Sequence, residues 1–165
     1  MKRRLRPMPD ARAARLLIVD DHELTRAGLR KILADEPSLE VVAEARTGRE
    51  AVSLSRHLRP DVVLMDVRMP DLDGLSATRA INREHLGARI ILITLNENPL
   101  YLREALQAGA AGYVLKGATK AEIIHAVKQA LRGQQVLPPD LAVEIALGTV
   151  GQTVSESGSD RGVSL

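Results

Sequence analysis

Four short aliphatic runs in this 165-residue chain hand over to side chains that can do chemistry. Asp20 and Asp21 follow LLIV, Asp66 closes DVVLM, Thr94 closes RIILI and Lys116 follows GYVL. Brought together, three carboxylates repel one another unless a cation joins them, and a compact all-oxygen site suits Mg²⁺. Such an ion bridges carboxylate to phosphate oxygens, while a lysine ammonium and a threonine hydroxyl hold the remaining oxygens. Positioning and charge neutralisation are most of what phosphoryl transfer requires, and Asp66 then has the makings of a nucleophile that becomes an aspartyl phosphate. Singly, each residue has a plainer reading: Asp20 or Asp21 as a helix cap, Asp66 as a solvated strand end. The joint placement favours a site.

These side chains meet only if the runs that carry them are neighbouring strands. RLLIVD (15–20), LEVVAEA (39–45), DVVLMD (61–66), RIILITL (89–95) and AGYVLK (111–116) are too short for helices and rich in Ile, Val and Leu. Between and after them lie helix-like segments near 23–34, 48–58, 74–85, 97–108 and 120–132. Thr47 with Glu50 and Thr119 with Glu122 fit capping boxes, and Gly109 and Gly133 fall where left-handed C-terminal caps belong. A regular βα repeat with near-continuous apolar strands predicts a doubly wound α/β fold, a five-stranded parallel sheet in the order 2-1-3-4-5 with helices on both faces. In such sheets function gathers at the carboxyl ends of the strands, where the order reverses.

Composition agrees with one such core. The chain is 45% hydrophobic, with no Cys, Phe or Trp and two Tyr, so aliphatic side chains fill the interior and thiolate chemistry is excluded. No apolar run approaches a membrane span and the basic start leads into no signal-like segment, which predicts a cytoplasmic protein. The net charge of +2 hides an asymmetry: residues 1–15 carry six bases and one acid, and residues 16–165 carry 17 bases and 20 acids. The expected organisation is a flexible basic arm (1–14), a central domain (15–133), a linker (134–148) with a short helix in PPDLAVEIALG (138–148) and a flexible Gly/Ser/Thr-rich tail (149–165).

The stretches LLIVDDHELTRAGLRKIL, DVVLMDVRMPDLDGLSATR, ILITL and EALQAGAAGYVLKGA, in this order and spacing, resemble a two-component response-regulator receiver domain over residues 15 to about 133. DDHELTRAGL and LREALQAGAAGYVLK are most similar to the NarL/FixJ subfamily of transcriptional regulators. The resemblance implies Asp66 as phosphoacceptor, with Asp20 and Asp21 as the acidic metal pair. It further implies the Arg68 backbone carbonyl in the metal shell, Thr94 as switch hydroxyl, Tyr113 as switch aromatic moving inward on phosphorylation, and Lys116 as phosphate-binding lysine. Met69, Pro70 and Gly74 match the loop that lets the third helix begin. A sensor histidine kinase is the implied partner and Mg²⁺ the implied cofactor; the domain assists its own phosphorylation and dephosphorylation without being an enzyme on other substrates. Homodimerisation is implied by resemblance alone; for Ile123, Ile124, Val127 and Leu131 the preferred reading is packing on the sheet. Gly117 stands where receivers commonly have proline, so a cis peptide there is not expected. The subfamily's helix-turn-helix output domain would begin near the end of this sequence, so DNA binding by this chain alone is expected to be weak.

Two rivals compete. Asp71-Leu-Asp73-Gly74 matches the DxDG opening of haloacid-dehalogenase-type phosphohydrolases, but that motif needs its first aspartate on a strand end, and Asp71 follows Arg-Met-Pro. Asp71 and Asp73 read better as loop and helix start. A nucleotide-binding α/β protein would need a glycine-rich turn after the first strand, where this chain has VDDHELT. The four histidines (His22, His57, His85, His125) lack metal-ligand spacing, and surface positions are expected for most of them, with His22 able to line the rim of the site.

Overall fold

A computed structural model of the chain describes residues 12–95 and 98–137. The expected arm up to residue 11, the helix expected within 138–148 and the tail lie outside the described residues. The elements alternate as β1 (Ala14–Val19), α1 (Glu23–Ala34), β2 (Leu39–Ala45), α2 (Gly48–Leu58), β3 (Val62–Asp66), α3 (Gly74–Arg83), β4 (Arg89–Thr94), α4 (Pro99–Gln107), β5 (Gly112–Leu115) and α5 (Lys120–Leu131). All pairings are parallel, in the order β2-β1-β3-β4-β5, so the order reverses between β1 and β3.

The strands have period-two side chains, and the sheet separates two cores accordingly. Leu17, Val19, Val63, Met65, Ile90, Leu92 and Tyr113 face α2, α3 and α4 through Ala51, Ala77, Ile81, Leu102 and Ala105. Leu16, Ile18, Val62, Leu64, Ile91, Ile93 and Val114 face α1 and α5 through Leu29, Leu33, Ile123, Ala126, Val127 and Ala130. Ile123 and Val127 thus pack on the sheet as expected, whereas Leu131 is exposed. Burying an aliphatic side chain of this size contributes about 1.5–3 kcal/mol, which explains strands without a solvated face.

Local chemistry sets the boundaries. Thr119 and Glu122 form the complete capping box of α5. At α2 only half the box forms: the Thr47 hydroxyl accepts the Glu50 N–H at 3.1 Å, but the Glu50 carboxylate takes the N–H of Arg46, one residue earlier than expected. Asn98 caps α4 with Pro99 at its start, so that helix begins two residues later than expected and ends one residue earlier, at Gln107. The third helix ends at Arg83, two residues short of expectation, because His85 turns left-handed (φ 51°). Gly109 and Gly133 have the positive φ expected of them. Arg15 belongs to β1, where its guanidinium donates to the carbonyls of Leu58 (2.5 Å) and Arg59 (3.2 Å).

After α5 the chain returns to the sheet edge. The Tyr113 N–H donates to the Val136 carbonyl at 3.0 Å, and the Val136 N–H to Ala111 at 2.9 Å. Gly112, at φ 151°, makes room: a Cβ there would lie 1.7 Å from the Val136 oxygen.

Candidate functional site

The reversal of strand order puts the ends of β1 and β3 side by side, and their next or last residues are the predicted carboxylates. Asp66 is the last residue of β3, 4% exposed; Asp20 follows β1, 1% exposed, with its N–H held by the Ala45 carbonyl. Asp20, Asp21, His22 and Asp66 each offer a ligand atom, all within 4.8 Å of one another. Lys116, which follows β5, places its Nζ 3.5 Å from Asp20 Oδ2 and 3.5 Å from Asp66 Oδ1. A bond from its N–H to the Thr94 carbonyl (2.9 Å) fixes the lysine backbone.

Burial pushes the Asp66 carboxyl above its ordinary value, and the Asp20 charge pushes the same way; Lys116 and a backbone hydrogen bond from Arg68 oppose them. Desolvated, like-charged oxygens pressed together are what a small hard cation relieves. The donor set, dominated by carboxylate oxygen, fits a divalent metal, and the cluster could hold one. Thr94 ends β4, one residue past Ile93, the register partner of Asp66, and is 6% exposed. The Arg68 side chain is exposed.

Tyr113 lies in β5 with no exposed surface, its ring centroid 6.2 Å from that of Tyr101. Nothing in the sequence singled out Tyr101. It projects from α4, its buried hydroxyl has no hydrogen-bond partner among the described residues, and burial pushes its pKa up to about 12, with Asp73 contributing. With Asp21, His22, Arg68, Met69 and Asp73 it lines a cleft of about 590 Å³ beside the carboxylates.

The other two aspartates of the β3–α3 stretch have separate duties. Asp71, at φ 79°, sits in the loop with an ion pair to Arg49 (2.8 Å). Asp73 is the N-cap of α3, accepting the Ser76 N–H at 2.8 Å. Gly74 lets the helix start against the backbone, since a Cβ would lie 2.6 Å from the Asp66 carbonyl oxygen. Nor are Asp20 and Asp21 the N-cap of α1, which is His22 without a side-chain cap bond. All four histidines are exposed. His22 does more than line the rim: its Nδ1 lies 3.2 Å from Asp20 Oδ1 and 3.1 Å from Asp21 Oδ1. The Lys116–Gly117 peptide is trans, as expected without the proline.

Five parallel strands in the order 2-1-3-4-5, with an acidic cluster and a lysine at the reversal, define a flavodoxin-like receiver fold. The chain belongs to the response regulator receiver domain family, whose pattern matches residues 16–128. It is 42% identical over 146 residues to the response regulator GacA of Pseudomonas viridiflava, covering 88% of this chain and 68% of that one. It is 45% identical over 143 residues to UvrY of Escherichia coli K12, covering 86% and 65%. The crystal structure of a two-component response regulator of the LuxR family from Aurantimonas sp. SI85-9A1 superposes with a TM-score of 0.78 at 39% identity, covering 84% of this chain and 99% of that one. The chain thus spans about two thirds of the length of these curated relatives. It is a two-component receiver, from a signalling family that is generally non-enzymatic and works with histidine kinases. No helix among the described residues is long and apolar enough to cross a membrane.

Proposed function

We propose that this receiver takes a phosphoryl group from the phosphohistidine of a sensor histidine kinase onto Asp66. The observation that carries the reading is the convergence of Asp20, Asp21, Asp66 and Lys116 on one point, with the Asp66 carboxyl raised by burial and by Asp20. In the step proposed, an Asp66 carboxylate oxygen attacks phosphorus, the P–N bond breaks, and the imidazole leaves with its electron pair and is reprotonated. A raised carboxyl is the more basic oxygen nucleophile, and Lys116 keeps it ionised. The Lys116 ammonium then turns from the carboxylates to the phosphoryl oxygens, and the Thr94 hydroxyl donates to one of them.

Asp21, Asp66 and the Arg68 carbonyl would hold Mg²⁺ directly, with Asp20 through water. When bound, Mg²⁺ supplies charge neutralisation for the transferring phosphoryl oxygens. Thr94 and Tyr113 couple the site to α4: engagement of the hydroxyl favours the inward Tyr113 ring seen against Tyr101, and disengagement favours an outward one. Output follows from that equilibrium. Similarity to the response regulators GacA and UvrY and to a LuxR-family regulator supports a role in transcription regulation in the cytoplasm. Homodimerisation would serve the same output. A receiver acting by protein contacts or as a phosphorelay intermediate is the alternative, and DNA binding by residues 1–165 alone would be weak and salt-sensitive. Incubation with a small-molecule phosphodonor and Mg²⁺ should add one phosphoryl group by mass; equal labelling of Asp66→Asn would refute the assignment.

A further inference from the structure

A charged side chain that the phosphoacceptor reading does not use lies beneath the acidic turn. Arg26, on α1, is 5% exposed, on the same inward face as Leu29 and Leu33. A guanidinium stays protonated in proteins and carries five N–H donors, so burying one requires acceptors in a fixed array. Here Nη1 donates to the Asp20 carbonyl at 2.6 Å and Nε to Glu44 Oε1 at 3.0 Å, while Nη2 lies 3.7 Å from Glu23 Oε1. Burial works against the ionised Glu44 carboxyl, but Arg30 and Arg26 hold it below its ordinary value, so it remains the anion this arrangement needs.

The Asp20 carbonyl belongs to the peptide that joins Asp20 to Asp21. Every other polar group of Asp20 is also engaged: its N–H by Ala45, Oδ1 by the His22 N–H at 2.8 Å, and Oδ2 by Lys116. The chain runs straight from this carbonyl into Asp21, so a guanidinium that fixes the carbonyl restrains the backbone from which the Asp21 carboxylate projects. Among the described residues, the bond from Arg26 is the one that acts on that peptide through its oxygen. We propose that Arg26 is a positioning residue of the acidic site, whose guanidinium ties the Asp20–Asp21 peptide to Glu44 of β2 and thereby orients Asp21 for a divalent cation. The inference rests on the Mg²⁺-assisted phosphoacceptor reading above.

The test is the Mg²⁺ dissociation constant of folded protein, followed by the emission of the two tyrosines in a chain without tryptophan. Partners that orient metal ligands change affinity by about 10–100-fold when removed, so Arg26→Gln should weaken Mg²⁺ binding at least about tenfold. Arg26→Lys keeps the charge but cannot span both acceptors, and should fall between that variant and the parent. Arg30→Gln removes the other partner of Glu44 without touching Asp20, and should bind as the parent does. Thermal unfolding in chelator identifies variants that are folded at the titration temperature. If Arg26→Gln does not fold, Arg26→Lys against Arg30→Gln carries the comparison. Parent-like Mg²⁺ affinity in the folded Arg26 variants, or an equal loss in Arg30→Gln, would overturn the proposal. Absence of Mg²⁺ binding by the parent chain would instead overturn the Mg²⁺-assisted phosphoacceptor reading on which it rests.

Discussion

Replacing Lys116 by Met should destabilise the protein mainly where divalent metal is withheld. The lysine Nζ lies 3.5 Å from one oxygen each of Asp20 and Asp66. At an effective dielectric constant of about 20, each contact represents about 5 kcal/mol of attraction, against a repulsion of about 3.5 kcal/mol between carboxylate oxygens within 4.8 Å. These gross energies overstate the outcome, because removing the ammonium also removes its desolvation cost and lets the carboxylates relax or take up a proton. Breaking a buried pair by deleting one partner costs about 3–5 kcal/mol, and we expect a loss in that range in chelator. Saturating Mg²⁺ replaces the missing positive charge, and since the variant site is the more negative, it gains more from the ion than the parent. Urea unfolding of both proteins, with chelator and with Mg²⁺, reads this directly. The gap should narrow by at least about 1 kcal/mol in Mg²⁺, close to the scale on which ligand binding shifts stability. A gap of the same size in both buffers would refute the reasoning, since the loss would then come from packing of the lysine stem.

Three further outcomes follow. Because the folded Asp66 carboxyl titrates above its ordinary value of 3.8, its contribution to stability is present below that pH and lost as pH rises through the folded value. In chelator, the stability of the parent relative to Asp66→Asn should therefore fall as pH rises through this window, and a pH-independent difference by urea titration would contradict the burial argument. Gly112→Ala would force a Cβ to within 1.7 Å of the Val136 oxygen, so the returning segment must detach or shift, at a cost of about 1–3 kcal/mol. Thermal unfolding and faster hydrogen exchange at the Tyr113 amide would register it; a parent-like amide would show that the bridge is not maintained in solution. Asp73→Ala should lose about 1 kcal/mol for the α3 cap in thermal unfolding yet still accept phosphate on Asp66, whereas loss of labelling would revive the DxDG reading.

The parallel α/β architecture was legible because its strands are short aliphatic runs with few rivals for burial, and because capping residues mark the helices. Asp66 was legible for a topological reason: it alone among the three aspartates of VVLMDVRMPDLDG ends a strand. What local pattern could not convey were contacts across the chain. The half-formed box at Thr47 depends on where the Glu50 carboxylate finds an N–H, and the two candidates differ by one residue. Tyr101 carries no motif, and only the fold sets it against Tyr113 and the cleft. Arg26 did leave a signal, a charge at the first position of the Arg26–Leu29–Leu33 stripe that α1 buries. Its meaning needed Glu44, eighteen residues away, to be seen.

The central claim is that Asp66 carries the phosphoryl group. After reaction with a small-molecule phosphodonor and Mg²⁺, borohydride reduces an aspartyl phosphate to homoserine at the modified position and leaves free aspartates unchanged. Peptide mapping by mass should find that conversion at residue 66. Conversion at Asp71 or Asp73 instead, or at no residue while the unreacted protein binds Mg²⁺, would contradict the account.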